Sequence, residues 1–229
     1  MSEKTEIKPI AHIYNDYTSK FGIPRQSGLC NDVVSQIVFE KEYRNDDALR
    51  EIESFSHLWL IWHFSENVTT EFSPTVRPPR LGGNKRVGVF ATRSPFRPNN
   101  LGLSCVKLDK VQKTEQNGTV LLVSGADIKN GTPIFDIKPY LPFTDAIADA
   151  KGGFADEVAD YGLKVDFPKE LSDTIEPEKR NAILSILQND PRPSYHTSSD
   201  REYGFEFGGL EIKFKVENAV IRVTDIKKI

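Results

Sequence analysis

The first 145 residues of this 229-residue chain are punctuated by turn-formers at intervals too short for long helices, and that spacing limits the fold more than any other feature. Runs rich in Val, Ile, Leu and aromatic residues lie at 10–14, 33–39, 57–64, 86–91, 101–111, 119–124 and 133–141. Gly22, Pro24 and Gly28, the Pro and Gly cluster from Pro74 to Gly83, Pro95 and Pro98, Asn117-Gly118 and the Asn130 to Pro133 string bound nearly all of them. Repeated short strands without intervening helices predict an antiparallel sheet closed into a barrel or sandwich, not a doubly wound fold. One helix is expected after Asn45, an N-cap followed by Asp46 and Asp47, with Ala48, Leu49 and Ile52 as its apolar stripe.

Beyond residue 143 the pattern changes. Asp and Glu outnumber Lys from 143 to 173, and Gly152-Gly153 interrupts any period, so the stretch reads as a linker or surface excursion. A helix is expected from Pro177, with Ile183, Ile186 and Leu187 on one face, ending before Pro191. Tyr203, Phe205 and Phe207 alternate up to Gly208-Gly209, and Leu210, Ile212, Phe214 and Val216 alternate back, the pattern of a hairpin; 219–224 supplies a third strand. The expected organisation is a mainly β chain, α+β overall: an antiparallel β-barrel domain at 1–145, an acidic linker at 146–174 and a small α+β domain at 175–229.

A hydrophobic fraction of 38% with 14 Phe, 7 Tyr and 2 Trp is enough for a real core and excludes disorder as the whole account. Cys30 and Cys105 lie in no Cys-x-x-Cys or Cys/His spacing, so neither a disulfide framework nor a zinc site is indicated, and no metal is expected. The longest apolar run, 58–62, is far short of the roughly 20 residues that span a bilayer, and the chain reads as cytoplasmic, with no membrane association.

The formal net charge of −3 hides a segregation. Between Glu71 and Asp109 there is no acid, while Arg77, Arg80, Lys85, Arg86, Arg93, Arg97 and Lys107 give a local charge of +7; the rest of the chain sets 23 basic groups against 33 acids, near −10. Five of the seven are arginines among Pro, Gly and Asn, and rigid loops presenting guanidinium forks suit phosphate or carboxylate ligands. The alternative is a solvated basic face opposite the acidic 143–173 stretch; the density of Pro and Gly favours a binding surface. Known phosphate motifs are absent: Gly83 and Gly88 have Walker A spacing, but Val89 stands where the lysine belongs, and no G-x-G-x-x-G follows a strand. G-x-S-x-G is missing, and His12, His57, His63 and His196 fall in no triad or ligand spacing.

Four strings are more specific than any charge argument: PRQSGL at 24–29, FSHLWLIWHF at 55–64, TVRPPRLGGNKRVGVFATRSPFRPNNLGLS at 75–104 and GADIKNGTPIFDIKPYLPF at 125–143. Together they resemble the TrmO (YaeB, TsaA-like) family, and DPRPSY at 190–195 with the hairpin after it is similar to the C-terminal domain of its bacterial members. The resemblance implies an S-adenosylmethionine-dependent tRNA methyltransferase, built on an antiparallel β-barrel and working as a homodimer. It would methylate the exocyclic nitrogen of threonylcarbamoyladenosine beside the anticodon, at position 37. The cofactor residues it implies are Pro24, Arg25 and Gln26; Ser65 and Glu66; Arg93; Leu103; and Asp127, Ile128, Lys129 and Asn130. Ser65-Glu66 departs from the residues expected in close relatives, so contacts there would come from the backbone. Arg77, Arg80, Lys85, Arg86 and Arg97 are the candidate RNA contacts, an arginine-rich surface suited to a nucleic-acid backbone.

Methyl transfer is an in-line displacement that asks the protein mainly to align two substrates. The target nitrogen must also lose a proton, for which a carboxylate, a phenol or water serves. In the D-I-K-P-Y string Asp136, Lys138 and Tyr140 alternate onto one side of a strand, which makes Asp136 and Tyr140 candidate catalytic groups. Two other functions fit the residues less fully: an RNA-binding module without catalysis, and a methyltransferase acting on a small molecule.

Overall fold

The computed structural model describes residues 5–66, 71–78, 85–159, 161–192 and 201–229. Its larger sheet has six antiparallel strands: β1 (Ala11–Tyr14), β2 (Val34–Phe39), β3 (His57–His63), β6 (Leu101–Thr114), β7 (Gly118–Ser124) and β8 (Pro133–Pro139). They pair in the order β1-β2-β7-β6-β3-β8, and Ala11 of β1 pairs with both Phe39 of β2 and Ile134 of β8. Strict alternation explains the inner face: on β3, Leu58, Leu60 and Trp62 are buried while the residues between them are half-exposed. Their β6 partners are Val106, Ser104 and Gly102. With Ile13, Ile37, Leu121, Val123 and Ile134 these side chains make one core.

The Trp62–Gly102 pairing is a matter of space. A methyl group on Gly102 would lie 2.2 Å from Cε2 of the Trp62 indole and 2.5 Å from Cζ2, so the ring lies flat against backbone that only glycine leaves open.

Two sequence expectations change here. The run at 86–91 is not one strand: β4 (Thr75–Val76) and β5 (Val87–Gly88) form a two-residue ribbon, and Val89–Ala91 then closes a 3-10 turn through Thr92 N–H to the Val89 carbonyl. The helix after Asn45 is two short 3-10 turns, Asp46–Leu49 and Ile52–Ser54, separated by Glu51 at φ 68°. Its cap is as read: Asn45 Oδ1 accepts from Asp47 N–H at 3.0 Å.

The second sheet orders β10 (Tyr203–Phe207), β11 (Leu210–Glu217), β12 (Val220–Lys228) and β9 (Lys164–Asp166), the last parallel to β12. Gly208 and Gly209, both at positive φ, make the tight β10–β11 turn that the sequence announced. Helix α1 (Pro142–Asp145) and helix α2 (Lys169–Ser172) are single turns, whereas α3 (Pro177–Gln188) buries Ala182, Ile183, Ile186 and Leu187 against this sheet. Residues 146–174, read as a linker, include β9 and α2, and Leu163, Val165, Phe167 and Leu171 pack on the second core.

That core also takes Tyr17, Cys30 and Val33 from the long connection between β1 and β2. The connection therefore leaves the larger sheet, is buried against the smaller one, and returns. Among the described residues no helix is long and apolar enough to cross a membrane.

Candidate active site

A cleft of about 630 Å³ opens at one end of the larger sheet, within the roughly 300–1,000 Å³ range of small-molecule sites. Its walls are the 23–26 loop, the end of β3 running on to Glu66, the 92–97 loop, the start of β6 and the 127–132 loop. The PRQ, ATRS and ADIKN strings, far apart in sequence, thus meet around one cavity.

Its innermost polar feature is a chain of hydrogen bonds rooted in the core. Trp62 Nε1–H donates to Ser104 Oγ at 2.9 Å, and Ser104 Oγ–H donates to Asp127 Oδ1 at 2.5 Å. Ser104 is fully buried and its hydroxyl is satisfied on both sides. Burial pushes the Asp127 carboxyl above the ordinary aspartate value, and the Ser104 hydrogen bond and the positive charge of Arg93 pull part of the way back. Asp127 is thus an acid kept in the cleft wall at a cost in stability, as expected of a group retained for its chemistry.

Cations surround it. Arg93 Nη1 donates to Gln26 Oε1 at 2.6 Å, joining the ATRS loop to the PRQ loop across the cleft. Glu66 is held by hydrogen bonding to Lys129, which sets its carboxyl below the ordinary value, and by Lys20 at 3.4 Å. Arg97 lines the cleft but spends its Nη1 on the carbonyls of Thr92 and Ser94, at 2.8 and 3.3 Å; it shapes the loop that carries Arg93. Trp62 and Phe64, ring centroids 4.2 Å apart, give one side of the cleft an aromatic wall. Two opposite charge types beside aromatic surface suit a ligand carrying an ammonium, a carboxylate and a flat base.

The 127–132 loop is latched from outside the motif strings. Asn15 Nδ2 donates to the Ile128 carbonyl at 2.9 Å, Asn15 N–H donates to Asn130 Oδ1 at 3.0 Å, and Asn130 N–H returns to the Tyr17 carbonyl at 2.9 Å. Arg25 is tied further away: its Nη2 donates to the carbonyls of Arg192 and Asp190 at 2.7 and 3.3 Å. Asp190 itself is buried and bridged by Arg192 through Nε at 2.8 Å and Nη2 at 3.0 Å, and it accepts from the Tyr161 hydroxyl at 2.6 Å. The first cleft loop thus rests on the segment that follows α3.

Of the residues the sequence singled out, Pro24, Arg25, Gln26, Ser65, Glu66, Arg93, Leu103, Asp127, Lys129 and Asn130 border the cleft, as does Arg97. Ile128 does not; its side chain is in the core. Asp136 pairs with Lys138 at 2.9 Å, and Tyr140 lies against the Trp59 and His57 rings at 5.8 and 6.2 Å, both on the outer side of the sheet and outside the cleft of their own chain. Arg77, Lys85 and Arg86 are exposed on or beside the β4–β5 ribbon, and Arg80 lies outside the described residues. Sequence reasoning missed Trp62, Ser104, Asn15 and Lys20; the first three act through strand register and chain reversal, which no local string displays.

Fold and cleft together define a class: a mainly β protein whose larger sheet is antiparallel throughout and whose loops converge on an amphoteric cleft of small-molecule size. The sequence matches the tRNA-methyltransferase O N-terminal domain over residues 12–146 and the TrmO C-terminal domain over residues 160–229. The chain belongs to the TrmO family, as its four strings suggested. It is 36% identical over 226 residues to the tRNA (adenine(37)-N6)-methyltransferase of Escherichia coli (strain K12), covering 95% of this chain and 96% of that one. A Pseudomonas aeruginosa relative whose name is that of an S-adenosylmethionine-dependent methyltransferase is 34% identical over 229 residues, covering 96% of each chain. The crystal structure of TrmO from Pseudomonas aeruginosa superposes with a TM-score of 0.81 at 30% identity, covering 100% of this chain and 99% of that one.

Proposed function

We propose that the protein is a tRNA methyltransferase that transfers a methyl group from S-adenosylmethionine to the N6 nitrogen of adenosine 37, with the threonylcarbamoyl form of that base as its substrate. The observation that carries this reading is the convergence of the PRQ, ATRS and ADIKN strings on one cleft with a partly buried acid, in a chain of this family. The residues fit the cofactor chemically: Asp127 offers an acceptor to its ammonium, ribose or adenine donors, Arg93 a donor to its carboxylate, and Trp62 with Phe64 apolar surface to its base. The cofactor supplies an electrophilic methyl group; the chain's own task is to orient the two reactants and exclude competing water.

The finer parts of the reading rest on geometry. A six-stranded barrel is supported by β1 pairing on both sides. Division near residue 146 is supported by the two separate cores, while the packing of Leu163, Val165, Phe167 and Leu171 on the second one favours counting the residues from about 160 to 174 with the C-terminal unit and not as a linker. A homodimer is supported by the apolar outer face of β3 and β6, where Leu103 is 55% exposed beside Ile61 and Trp59. Asp136 and Tyr140 remain candidates for accepting the proton only if a second protomer or the bound tRNA brings that outer face to a cleft. The cytoplasm follows from tRNA as substrate.

Incubation with labelled S-adenosylmethionine and tRNA, carrying or lacking the threonylcarbamoyl group, is expected to label the modified tRNA alone. Absence of label in the modified tRNA would overturn the reading. A second result separates function from fold. Because the Asp127 carboxyl has a folded pKa above its unfolded one, its ionised form destabilises the native state at neutral pH, and that cost fades as pH falls toward the unfolded value. Asp127→Asn stays neutral and keeps an oxygen for Ser104, so it is expected to raise Tm at pH 7 while weakening cofactor binding roughly ten- to a hundredfold by calorimetry.

A further inference from the structure

The two-residue ribbon β4–β5 carries a feature that the cleft chemistry does not use. Phe72, just before β4, is 59% exposed, and Phe90, just after β5, is 73% exposed; their rings stack with centroids 6.4 Å apart and planes 27° from parallel. Large aromatic rings held together in solvent are costly to leave bare. The backbone fixes the arrangement: Val89 N–H donates to the Pro74 carbonyl at 3.0 Å and the Val89 side chain is buried, so its neighbour Phe90 faces outward. Arg77, Lys85 and Arg86 are exposed around the same ribbon. Among the described residues none of these three is in an ion pair, and Arg86 donates only to Thr75 Oγ1, at 2.8 Å. No acid lies between residues 72 and 108. Two and three residues beyond Phe90, Thr92 and Arg93 enter the cleft wall.

We propose that Phe72 and Phe90 form a stacking platform for an unpaired nucleobase of the substrate RNA next to the base being methylated, with Arg77, Lys85 and Arg86 on the adjoining phosphates. The proposal rests on the tRNA reading above and adds a binding surface to it. The two rings cover each other's inner faces, so the base adds to an outer face and extends the stack. Aromatic rings interleaved with exposed guanidinium groups match single-stranded RNA, whose bases offer flat faces and whose backbone offers charge at each step. A second copy of the chain fits the patch less well, because a two-fold contact would set the three cations of one copy against the same three of the other, and like charges brought together across an interface oppose it.

The test uses the full-length protein and a synthetic anticodon stem-loop. Phe72→Ala and Phe90→Ala are each expected to weaken RNA binding roughly tenfold, while cofactor affinity, Tm and the slope of log K against log salt stay as in the parent protein. Phe90→Tyr, which keeps the ring, should restore binding. Neutralising Arg77, Lys85 or Arg86 with glutamine should instead flatten the salt slope by about 0.7 each. Phe90→Trp adds an indole emission that RNA should quench. Unchanged RNA affinity in the Phe72→Ala/Phe90→Ala double variant overturns the platform, as does an added emission in the Phe90→Trp variant that saturating RNA leaves unquenched. Conversion of a dimer to a monomer by the double variant, seen by sedimentation, assigns the patch to a second copy and likewise overturns it. If the parent protein fails to methylate tRNA, the functional reading falls with it; an active parent with fully active phenylalanine variants removes the platform alone.

Discussion

Replacing Asp190 by alanine is expected to lower stability by about 3–5 kcal/mol, a fall in Tm of roughly 6–20 °C for a chain of this size. Its carboxylate is buried, doubly hydrogen-bonded by Arg192 and capped by the Tyr161 hydroxyl, so the substitution strands a guanidinium whose own side chain is only 15% exposed. Burial on its own pushes the Asp190 carboxyl up, but Arg192 and Tyr161 outweigh it and hold the group below the ordinary value. For an acid with a depressed folded pKa, the stabilisation is fully present above the unfolded value of about 3.9 and is lost as pH falls through the folded one. Asp190→Asn should therefore remove part of the acid sensitivity along with the ion pair, which thermal melts at pH 7 and pH 3 would reveal. Because Arg25 donates to the carbonyls of Asp190 and Arg192, the loss should also reach the cleft as weaker cofactor binding. Equal melting curves for the parent and Asp190→Ala would contradict this account.

Gly102→Ala should cost about 1–3 kcal/mol in overpacking, at the upper end of that range because the added methyl meets three indole atoms between 2.2 and 2.6 Å away. The indole is pinned at Nε1 by the Ser104 hydrogen bond, so it cannot withdraw without releasing the group that holds Asp127. Methyl transfer is therefore expected to fall by more than tenfold even at temperatures where the variant is folded. Pairing it with Trp62→Phe, which shortens the ring, should recover stability but not activity, since phenylalanine cannot donate to Ser104. A double variant as active as the parent would refute the role given to that chain of donors.

Much of the architecture was legible because it is written in local periods. The alternation of Leu58, Leu60 and Trp62, the Gly208-Gly209 turn and the apolar stripe of α3 each show their element without reference to anything distant. The 86–91 run misled because its β-formers lie beside Pro and Gly, where a ribbon of two residues and a 3-10 turn satisfy the backbone as well as a strand does. The cleft is a different case. Most of the residues bordering it fall within the family strings, whereas Lys20 lies outside them, and Ser104 and Trp62 matter through cross-strand register, which is set by which strands meet. Arg25 was read as a cofactor residue and borders the cleft; the carbonyls to which it donates stand 165 and 167 residues further on, beyond any local signal. The alternation of Asp136 and Lys138 was also visible, and it gave them one side of β8 without saying that this side is the outer one.

The connection between β1 and β2 sets an order on the birth of the molecule. Tyr17, Cys30 and Val33 are made early, yet the side chains that bury them, from Ile175 to Val223, emerge last. At about 5–20 residues per second on the ribosome, the early segment waits roughly 10–40 s for its cover. The larger sheet can pair its strands in that interval, and Arg93 can already reach Gln26, but Arg25 lacks the Asp190 and Arg192 carbonyls to which it donates until the segment after α3 arrives. Full ligand affinity is therefore expected to appear only once residues 190–192 are made, although every residue lining the cleft is in place by Thr132.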